Sequence, residues 1–462
     1  MVKRASNPKK FNEEQFREPL ETSEIVLAML KEYALCDSCL GRQFAMLGHG
    51  FTNEERGRAL KLACVIEGSK LTNEEDQRGG EILLSLSANG FSKIAGETLE
   101  TLGLKIERRE ELCYLCEGAF SQINRLAEDA VRGLSKYEYD SFLVGIKANP
   151  SIENREDGLR SKFGIHWGES IRNEYSREIG KRIIEYTKKN VDLKRPDILV
   201  VIDPLKGIIS LEVNSLFVSG RYRKLARGIP QSRWICSECG GKGCSRCDWK
   251  GKLYPDSIEE LITTSFLELT KGQRGKLHAA GREDVDVRTL GSGRPFIAEV
   301  KQPRLRNINL EEMRRSINFG AEGKIEVSTL KFSSREAVRS LKSGEKATKV
   351  YRAIVEFSRE LNEDTIPKIE GLSNRLINQL TPQRVAHRRA MKVRKKYLYE
   401  LTIKKLKPNL VEMLIRCQGG LYVKELINGD EGRTRPSVSE IVDAPAKCVE
   451  LDVMEVELEE SN

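Results

Sequence analysis

The sequence predicts an α+β protein, because strand-like and helix-like stretches follow one another in mixed order instead of alternating as in a doubly wound parallel sheet. At 462 residues the chain exceeds one ordinary hydrophobic core, and this length favours about two to four domains. The hydrophobic content of 39% is sufficient for folded domains. A boundary near residue 230 divides the chain into a first domain over residues 1–230 and a second domain over residues 231–462.

The chain carries no segment that predicts membrane insertion or secretion. No run of about 18 apolar residues occurs, and the start MVKRASNPKKFNEEQF contains no apolar segment typical of a signal peptide. We therefore expect a soluble, cytoplasmic protein without a membrane partner. The net charge of +9 is modest, but residues 384–396 contain seven Lys or Arg residues and no acid. This basic block predicts contacts with phosphates, and a solvated helix face is the alternative.

Eleven cysteines are present, and eight of them form four Cys-x-x-Cys pairs. In a chain without a secretory signal this spacing favours metal binding, because two thiolates separated by two residues can bind one zinc ion. The first two pairs predict a structural zinc site, with unrelated reduced pairs or a redox motif as alternatives. The last two pairs, joined by a short glycine-rich connection, predict a second zinc site or a metal-free loop. The predicted ligands are Cys36, Cys39, Cys113 and Cys116 at the first site, and Cys236, Cys239, Cys244 and Cys247 at the second.

Hydrophobic periodicity predicts an α/β layer in the first half of the chain. Helices are predicted over residues 21–33, 53–67, 119–134 and 171–189, and strands over residues 142–146, 197–202 and 207–213. The last helix, the two strands after it and the basic end GRYRKLARGIP together resemble a THUMP domain. THUMP domains bind the acceptor end of tRNA in several modification enzymes, so the resemblance implies a tRNA-binding role for the first domain.

The second half continues with helices and strands in mixed order. A capping box, in which Glu260 follows Ser257 by three residues, opens a helix predicted over residues 258–269. Further helices are predicted over residues 309–320 and 334–343, strands over residues 296–300, 323–332, 349–357, 397–403, 410–417 and 449–456, and a helix or strand over residues 420–428.

Residues 281–296, GREDVDVRTLGSGRPF, combine two aspartates with three arginines. As a strand of period two, this stretch places Asp284 and Asp286 between two arginines on one face, while Val285 and Val287 face the core. A turn predicted over residues 291–295 ends the strand. Taken alone, such a pattern is more often a salt-bridged solvated face than a reactive site. The chain has only four histidines and no Walker or Rossmann motif, which leaves carboxylates as the obvious reactive groups.

Four motifs resemble, in the same order, those of the THUMP-bearing tRNA pseudouridine synthase family of archaea and eukaryotes. They are GREDVDVRTLGSGRPF at 281–296, KVYRAIV at 349–355, RVAHRRAMKVRKK at 384–396 and GLYVKELINGDEGRTRPS at 420–437. The resemblance implies a zinc-bearing THUMP-like accessory domain followed by a mixed-sheet pseudouridine synthase catalytic domain, which carries the cysteine-rich insert 236–247. It also implies no organic cofactor and no obligate protein partner. The implied substrate is tRNA, bound at its T loop and acceptor region and modified at uridines 54 and 55.

The family pattern places an arginine two residues before the essential aspartate. It therefore identifies Asp284 as the nucleophile and Arg282 as the arginine that orients it in the substrate site. Asp286 is the competitor, since it shares the predicted face, but no arginine precedes it by two positions.

Three further residues match the family motifs. Tyr351 matches the tyrosine that stacks on the target base, although an aromatic residue on a buried strand is its alternative interpretation. Tyr422 and Lys424 match the motif that closes the floor of the substrate pocket.

Isomerising uridine requires breaking the bond from N1 to the sugar and rejoining the base through C5. A carboxylate near C1′ or C6 can act as nucleophile or stabilise oxocarbenium character, and the flipped base needs an aromatic face to rest on. A non-catalytic zinc-knuckle RNA-binding or RNA-chaperone protein is the rival hypothesis, but it leaves the acidic stretch unexplained. A THUMP-linked methyltransferase or sulfur transferase is disfavoured because the chain lacks a nucleotide-binding glycine loop.

Overall fold

The computed structural model describes residues 21–105, 112–147, 149–342, 347–362 and 364–457. The chain divides into two compact units: the first ends at Ser135 and resumes from Asp140 to Glu212, and the second comprises residues 136–139 and the chain from Val213 onward. Residues 213–230, predicted to belong to the first domain, are part of the second unit, because the strand Leu216–Lys224 pairs with the strand Arg288–Lys301. Among the helices in these ranges, none has the length and hydropathy needed to cross a bilayer.

The first unit combines helices with a small sheet. Its helices are α1 (Thr22–Glu32), α2 (Asp37–Gly41), α3 (Asn53–Asn73), α4 (Gln77–Ala88), α5 (Lys93–Thr101), α6 (Ile123–Leu134), α7 (Pro150–Phe163) and α8 (Ile171–Thr187), and its strands are β1 (Ser141–Ile146), β2 (Asn190–Val191), β3 (Ile198–Asp203) and β4 (Ile208–Val213). The strand order is β2-β1-β3-β4, and β1 is parallel to both of its neighbours. The four helices and three strands predicted for this half are confirmed, and the second helix continues to Asn73.

Helices α2 and α3 touch through two glycines. A β-carbon at Gly57 would lie 1.9 Å from the carbonyl oxygen of Asp37, and one at Gly41 would lie 1.8 Å from the carbonyl oxygen of Asn53. Only a hydrogen atom fits at either position, so the glycines allow the two helix backbones to meet. Because α2 begins directly after Cys36 and contains Cys39, this contact also positions the first cysteine pair.

The second unit is built on one large mixed sheet. Its helices are α9 (Ile258–Thr270), α10 (Leu310–Gly320), α11 (Arg335–Lys342), α12 (Thr365–Glu370), α13 (Val423–Asn428) and α14 (Val438–Val442), and its strands are β5 (Leu216–Lys224), β6 (Arg274–Ala279), β7 (Arg288–Lys301), β8 (Ile325–Val327), β9 (Lys331–Phe332), β10 (Thr348–Phe357), β11 (Arg375–Gln379), β12 (Arg394–Lys407), β13 (Leu410–Gln418), β14 (Thr434–Arg435) and β15 (Ala446–Glu457). The strand order is β14-β11-β12-β13-β10-β15-β7-β5-β8, with β6 added beside β7 and β9 beside β5.

The sheet has two hydrophobic cores. One contains Phe357 and Met413 from β10 and β13, and the other places Phe296 of β7 against Phe266 of α9. Strand β15 runs parallel to β7, whereas β10 is antiparallel to both β13 and β15. Helices and strands in mixed order around a mixed sheet confirm the predicted α+β class.

Three predictions for this half need correction. Residues 281–287, predicted as strand, form a loop between β6 and β7, because the carbonyl groups of this segment accept hydrogen bonds from side chains instead of a neighbouring strand. The turn predicted over residues 291–295 lies inside β7, where Arg294 and Pro295 pair with β5 and residues 290–293 form a bulge at a register shift. The strand predicted over residues 323–332 is divided into β8 and β9, which pair with different parts of β5. The ambiguous stretch 420–428 contains helix α13.

We predict that Gly57→Ala lowers the free energy of unfolding by about 1–3 kcal/mol, because the added methyl group separates α2 from α3. Thermal unfolding of the full chain measures the effect. Gly158→Ala is the matched control, since Gly158 lies in α7 and a β-carbon added there would meet no neighbouring atom within 4 Å. The control should leave stability unchanged or raise it by about 0.5–1 kcal/mol. Equal midpoints for both variants would contradict the close helix contact.

Candidate active site

The loop of residues 280–287, which we call the aspartate loop, is anchored by a buried ion pair. The side chains of Glu283 and Arg294 lie 2.7 Å apart and are almost completely removed from water. Arg294 also donates a hydrogen bond of 2.6 Å to the carbonyl oxygen of Ala280. Two more groups satisfy the carboxylate: the Tyr222 hydroxyl lies 2.7 Å from Glu283 Oε1, and Gln231 Nε2 lies 3.2 Å from Oε2. The buried ion pair and these hydrogen bonds therefore fix the first half of the aspartate loop.

The end of β5 holds the second half of the aspartate loop. Lys224, which is buried, donates a hydrogen bond of 2.8 Å from Nζ to the carbonyl oxygen of Val285, and burial lowers the pKa of this amine to about 8. Arg227 donates a hydrogen bond of 2.7 Å to the carbonyl oxygen of Asp286. These contacts fix the backbone on both sides of Asp284 and leave its side chain free to point outward.

Asp284 is the better enclosed of the two aspartates. Its side chain is 33% exposed, compared with 69% for Asp286. Arg384 Nη1 donates a hydrogen bond of 2.8 Å to Asp284 Oδ2, and Lys424 Nζ lies 3.6 Å from the same oxygen. Lys424 is closer to Asp286, at 2.7 Å. Burial alone raises the pKa of the Asp286 carboxyl, but the hydrogen bond and charge of Lys424 outweigh it and lower the pKa.

Arg384 is itself held in place by a buried acid. Its Nε lies 2.5 Å from Glu425 Oε1, and the Glu425 side chain is buried in α13. The guanidinium carbon also lies 5.9 Å from the ring centroid of Tyr422, at a distance typical of a cation–π contact. Gln379 of β11 anchors this tyrosine, with hydrogen bonds of 2.8 and 2.9 Å to its backbone N–H and carbonyl. Arg384 thus presents a fixed guanidinium edge to Asp284.

Tyr351 and Lys349 project from β10 toward the same region. Burial raises the pKa of the Tyr351 phenol above its usual range, so its ring is neutral near neutral pH, and the charges of Arg294 and Asp284 act on it. Burial also lowers the pKa of Lys349 to about 8, with a further contribution from Arg294. A β-carbon on Gly281 would lie 2.8 Å from Lys349 Nζ, which places this amine beside the aspartate loop.

The structure brings together most of the predicted site residues. Asp284, Asp286, Tyr422 and Lys424 form one connected group, in which Arg384 links Asp284 to Tyr422 and Lys424 links Asp284 to Asp286. Arg282, expected to orient Asp284, is exposed and forms no hydrogen bond or ion pair within the described parts of the chain. Arg282 does not pair with Asp284, because the loop replaces the predicted strand, and Arg384 donates the hydrogen bond to Asp284 instead.

Arg288, the other arginine of the predicted strand face, is also directed elsewhere. It forms a two-pronged ion pair with Asp452 at 2.8 and 2.9 Å. Sequence reasoning missed the roles of Glu283, Arg294 and Arg384. The only available signal is the position of Arg384 in the basic block, for which the sequence predicts a phosphate contact.

Both cysteine clusters have a geometry that fits zinc. Within each cluster all four sulfur atoms lie within 4.8 Å of one another. The sulfur atoms of Cys36 and Cys116 are 3.8 Å apart, as are those of Cys236 and Cys244. Four thiolates around a tetrahedral zinc ion with bonds of about 2.3 Å have sulfur atoms about 3.8 Å apart. Each set of four cysteines could therefore hold one metal ion.

Donors directed at sulfur atoms also suit thiolate ligands. In the first cluster Arg42 Nη1 lies 3.1 Å from Cys39 Sγ. In the second cluster the backbone N–H groups of Gly243 and Gly251 donate to the sulfur atoms of Cys239 and Cys247, both at 3.2 Å. Such contacts offset the negative charge of coordinated thiolates.

Comparisons with known proteins agree with this architecture. Two family models match the chain: "Pus10 THUMP domain, archaeal" over residues 126–203 and "Pus10, C-terminal" over residues 217–457. The tRNA pseudouridine synthase Pus10 of Methanocaldococcus jannaschii is 43% identical over 437 residues, which cover 93% of each chain. The protein of the same name from Thermofilum pendens is 40% identical over 438 residues, which cover 93% of this chain and 94% of the relative. Among solved structures, a chain of a Cbf5-Nop10-Gar1 complex is 15% identical and covers 43% of this chain and 46% of its own length, with a TM-score of 0.28.

The family predicted from the sequence motifs is therefore confirmed. The prediction of an enzyme, an isomerase with a THUMP domain before its catalytic domain, is confirmed with it, and the rival hypothesis of a non-catalytic RNA-binding protein is not supported. The chain belongs to the Pus10 family of tRNA pseudouridine synthases.

Proposed function

We propose that the chain converts uridines 54 and 55 in the T loop of tRNA to pseudouridine, with Asp284 as the nucleophile. The observation that carries the proposal is the position of Asp284, a partly exposed carboxylate on an anchored loop that is hydrogen-bonded to Arg384. The family resemblance supplies the two uridine positions. The fit of the site to a T loop is a consequence to be tested.

The chemistry follows from a carboxylate with a fixed direction. Asp284 attacks C1′ or C6 of the flipped uridine, the bond from C1′ to N1 breaks, and the base rejoins the sugar through C5. The bond to Asp284 then breaks, C5 loses its proton and N1 takes up a proton, so the carboxylate is regenerated and the product is an isomer of the substrate. Arg384 and Lys424 orient the carboxylate and balance its charge, which is the role that the family motif assigns to Arg282.

The target base needs a surface to rest on once it has left the RNA stack. Tyr351 offers a neutral aromatic ring near Asp284, and Tyr422 with Lys424 closes another side of the site. Arg282 is exposed and without an ion pair in the described chain, so we assign it a contact with a phosphate of the substrate. The basic block after Arg384 extends this positive surface along the RNA backbone.

The two cysteine clusters hold structural zinc ions in this proposal. The ligands are the cysteine pairs at residues 36 and 39 with 113 and 116, and at residues 236 and 239 with 244 and 247. Zinc at these sites stabilises the local fold and takes no part in the reaction. The protein acts in the cytoplasm on tRNA, bound through the T loop and the acceptor region, without an obligate protein partner or an organic cofactor.

We predict that Asp284→Ala abolishes pseudouridine formation, with a loss of more than about a thousandfold in kcat, because the nucleophile is removed. Asp286→Ala should cost less than about tenfold, since it removes only an exposed ion pair with Lys424. Pseudouridine mapping on an unmodified tRNA transcript measures both rates and identifies the modified positions. Full activity of Asp284→Ala would transfer the role to Asp286, and products outside the T loop would refute the proposed specificity.

We predict that Glu283→Gln lowers the free energy of unfolding by about 3 kcal/mol, because Arg294 is left buried without a countercharge. The aspartate loop then loses its anchor, so kcat should also fall. Chemical denaturation and single-turnover kinetics test the two effects separately. Glu326→Gln is the control, since Glu326 pairs with Arg223 at the surface and should change stability by less than about 0.5 kcal/mol. Equal effects of the two substitutions would show that the buried pair does not anchor the loop.

Elemental analysis tests the metal sites. The purified chain should contain two equivalents of zinc, one for each cluster, and Cys113→Ser and Cys244→Ser should each lose one. Cys448→Ser is the control, because Cys448 lies outside both clusters and should not affect the zinc content. If Cys244→Ser retains the zinc content of the unmodified chain, residues 236–247 form a metal-free loop.

A further inference from the structure

The second cysteine cluster lies in a small protruding element, residues 234–253, which we call the cysteine knuckle. Its two ends run side by side: Leu253 N–H donates a hydrogen bond of 2.9 Å to the carbonyl oxygen of Trp234, and Cys236 N–H donates one of 3.0 Å to the carbonyl oxygen of Gly251. The proposed function gives this element only a structural zinc ion. It does not explain the composition of the surface that the element exposes.

The cysteine knuckle presents a tryptophan to solvent. Trp249 is 78% exposed as a residue, and within the described chain its ring has no aromatic, cation–π or hydrogen-bond partner. Its backbone, in contrast, is held firmly. Trp249 N–H donates a hydrogen bond of 2.9 Å to the carbonyl oxygen of Cys244, and a β-carbon on Gly243 would lie 2.7 Å from the Trp249 carbonyl oxygen. A large apolar ring is thus held in water by a rigid support, where it gains nothing from burial in the folded chain.

Unpaired positive charge lies beside this ring. Arg246 pairs with Glu238 at 2.7 Å and Lys252 pairs with Glu260 at 2.9 Å. Lys242, Lys250 and the acid Asp248 are exposed and form no ion pair within the described residues, so two free lysines stand against one free aspartate. Lys250 follows Trp249 directly, and Lys242 precedes the glycine that touches the Trp249 backbone. An exposed aromatic ring with flanking free lysines matches the chemistry of single-stranded nucleic acid, which offers bases for stacking and phosphates for ion pairing.

The cysteine knuckle begins close to the aspartate loop. Gln231 donates hydrogen bonds to the carbonyl oxygen of Gly281 at 3.0 Å and to Glu283 at 3.2 Å. Trp234 follows three residues later, so the base of the knuckle is within about 11 Å of the Gln231 backbone along the chain. The start of the knuckle is therefore tied to the loop that carries Asp284.

We propose that the cysteine knuckle is a second RNA-binding element, in which Trp249 stacks on an unpaired base of the tRNA and Lys242 and Lys250 contact its phosphates. The inference rests on the tRNA substrate of the family and not on the assignment of Asp284. It differs from a purely structural role, in which the two lysines only balance the charge of four thiolates around zinc.

The test compares the affinity of full-length variants for an unmodified tRNA transcript. Trp249→Leu should raise Kd about tenfold, whereas Trp249→Phe, which keeps an aromatic ring, should stay within about threefold of the unmodified chain. Phe319→Leu is the matched control, because Phe319 is a 90% exposed aromatic residue of the same unit that lies on α10, and its Kd should not change. Equal affinity of Trp249→Leu and the unmodified chain would overturn the proposal, as would an equal loss in Phe319→Leu.

The lysines are tested by salt dependence. In Lys242→Gln with Lys250→Gln, the slope of log Kd against log salt concentration should fall by about 1.4–1.8, since two phosphate contacts are lost. Zinc content, measured in parallel, separates the two roles. An unchanged slope with lowered zinc would overturn the proposal in favour of charge balance at the metal. If Trp249→Leu fails to fold, the lysine variant and the quenching by bound tRNA of Trp249 fluorescence, measured with Trp167 and Trp234 changed to Phe, decide the matter, and absence of both effects refutes the proposal.

Kinetics distinguish this inference from the proposed function. Trp249→Leu should raise KM about tenfold with little change in kcat, because the ring contacts RNA away from the reacting uridine. A failure of Asp284 as nucleophile would leave this binding result intact. A large fall in kcat with unchanged KM would instead contradict a docking role for Trp249.

Discussion

The active-site region depends on the ion pair between Glu283 and Arg294. Both side chains are removed from water, and burying two charges is tolerated only when each finds its partners. Tyr222 and Gln231 donate further hydrogen bonds to the Glu283 carboxylate, and the carbonyl oxygen of Ala280 accepts a hydrogen bond from the Arg294 guanidinium. With these contacts formed, the backbone between Ala280 and Glu283 has little conformational freedom. The position of the next residue, Asp284, is thereby fixed at the surface.

The same principle recurs on the other side of Asp284. Arg384 is shared between a buried acid, Glu425, and the exposed edge of the aspartate. The ion pair with Glu425 fixes the position of the Arg384 guanidinium, and the hydrogen bond from Arg384 then orients the Asp284 carboxylate. The Asp284 carboxylate thus remains partly exposed while its orientation is determined by buried groups, as the proposed nucleophile requires.

A third buried acid, Asp452, joins two strands in the middle of the sheet. Strands β15 and β7 run parallel and share a short stretch of register, in which Asp452 lies opposite Arg288. Three arginines surround this carboxylate: Arg227 at 2.7 Å, Arg288 at 2.8 Å and Arg352 at 3.3 Å. Arg227 also holds the aspartate loop through Asp286. Arg227 therefore contacts both the acid between the two strands and the backbone of the aspartate loop. This shared contact couples the assembly of the sheet to the geometry of the loop.

The sequence alone determined the features that depend on local pattern. The spacing of cysteine pairs predicted both clusters, the periodicity of α8 and the capping box at Ser257 predicted helices, and short motifs identified the family and Asp284 as its candidate nucleophile. Each of these signals lies within a few neighbouring residues, so it survives without knowledge of the fold. The prediction of a strand around Asp284 was wrong. Alternation of polar and apolar side chains indicates a strand only where the backbone pairs with a neighbouring strand, and here carbonyl groups of the loop accept hydrogen bonds from side chains instead.

Only the tertiary structure decided which charges meet. Arg384 lies 100 residues from Asp284 and contacts it, whereas Arg282 is two residues away and forms no ion pair with it. Glu283 looked like one more acid in a charged run, but its burial against Arg294 makes it the anchor of the loop. Ion pairs depend on distances across strands and helices, and the chain offers 78 basic residues as possible partners for 69 acidic ones. Sequence spacing cannot choose among them, because the choice is made by the packing that brings distant segments together and excludes water from some pairs.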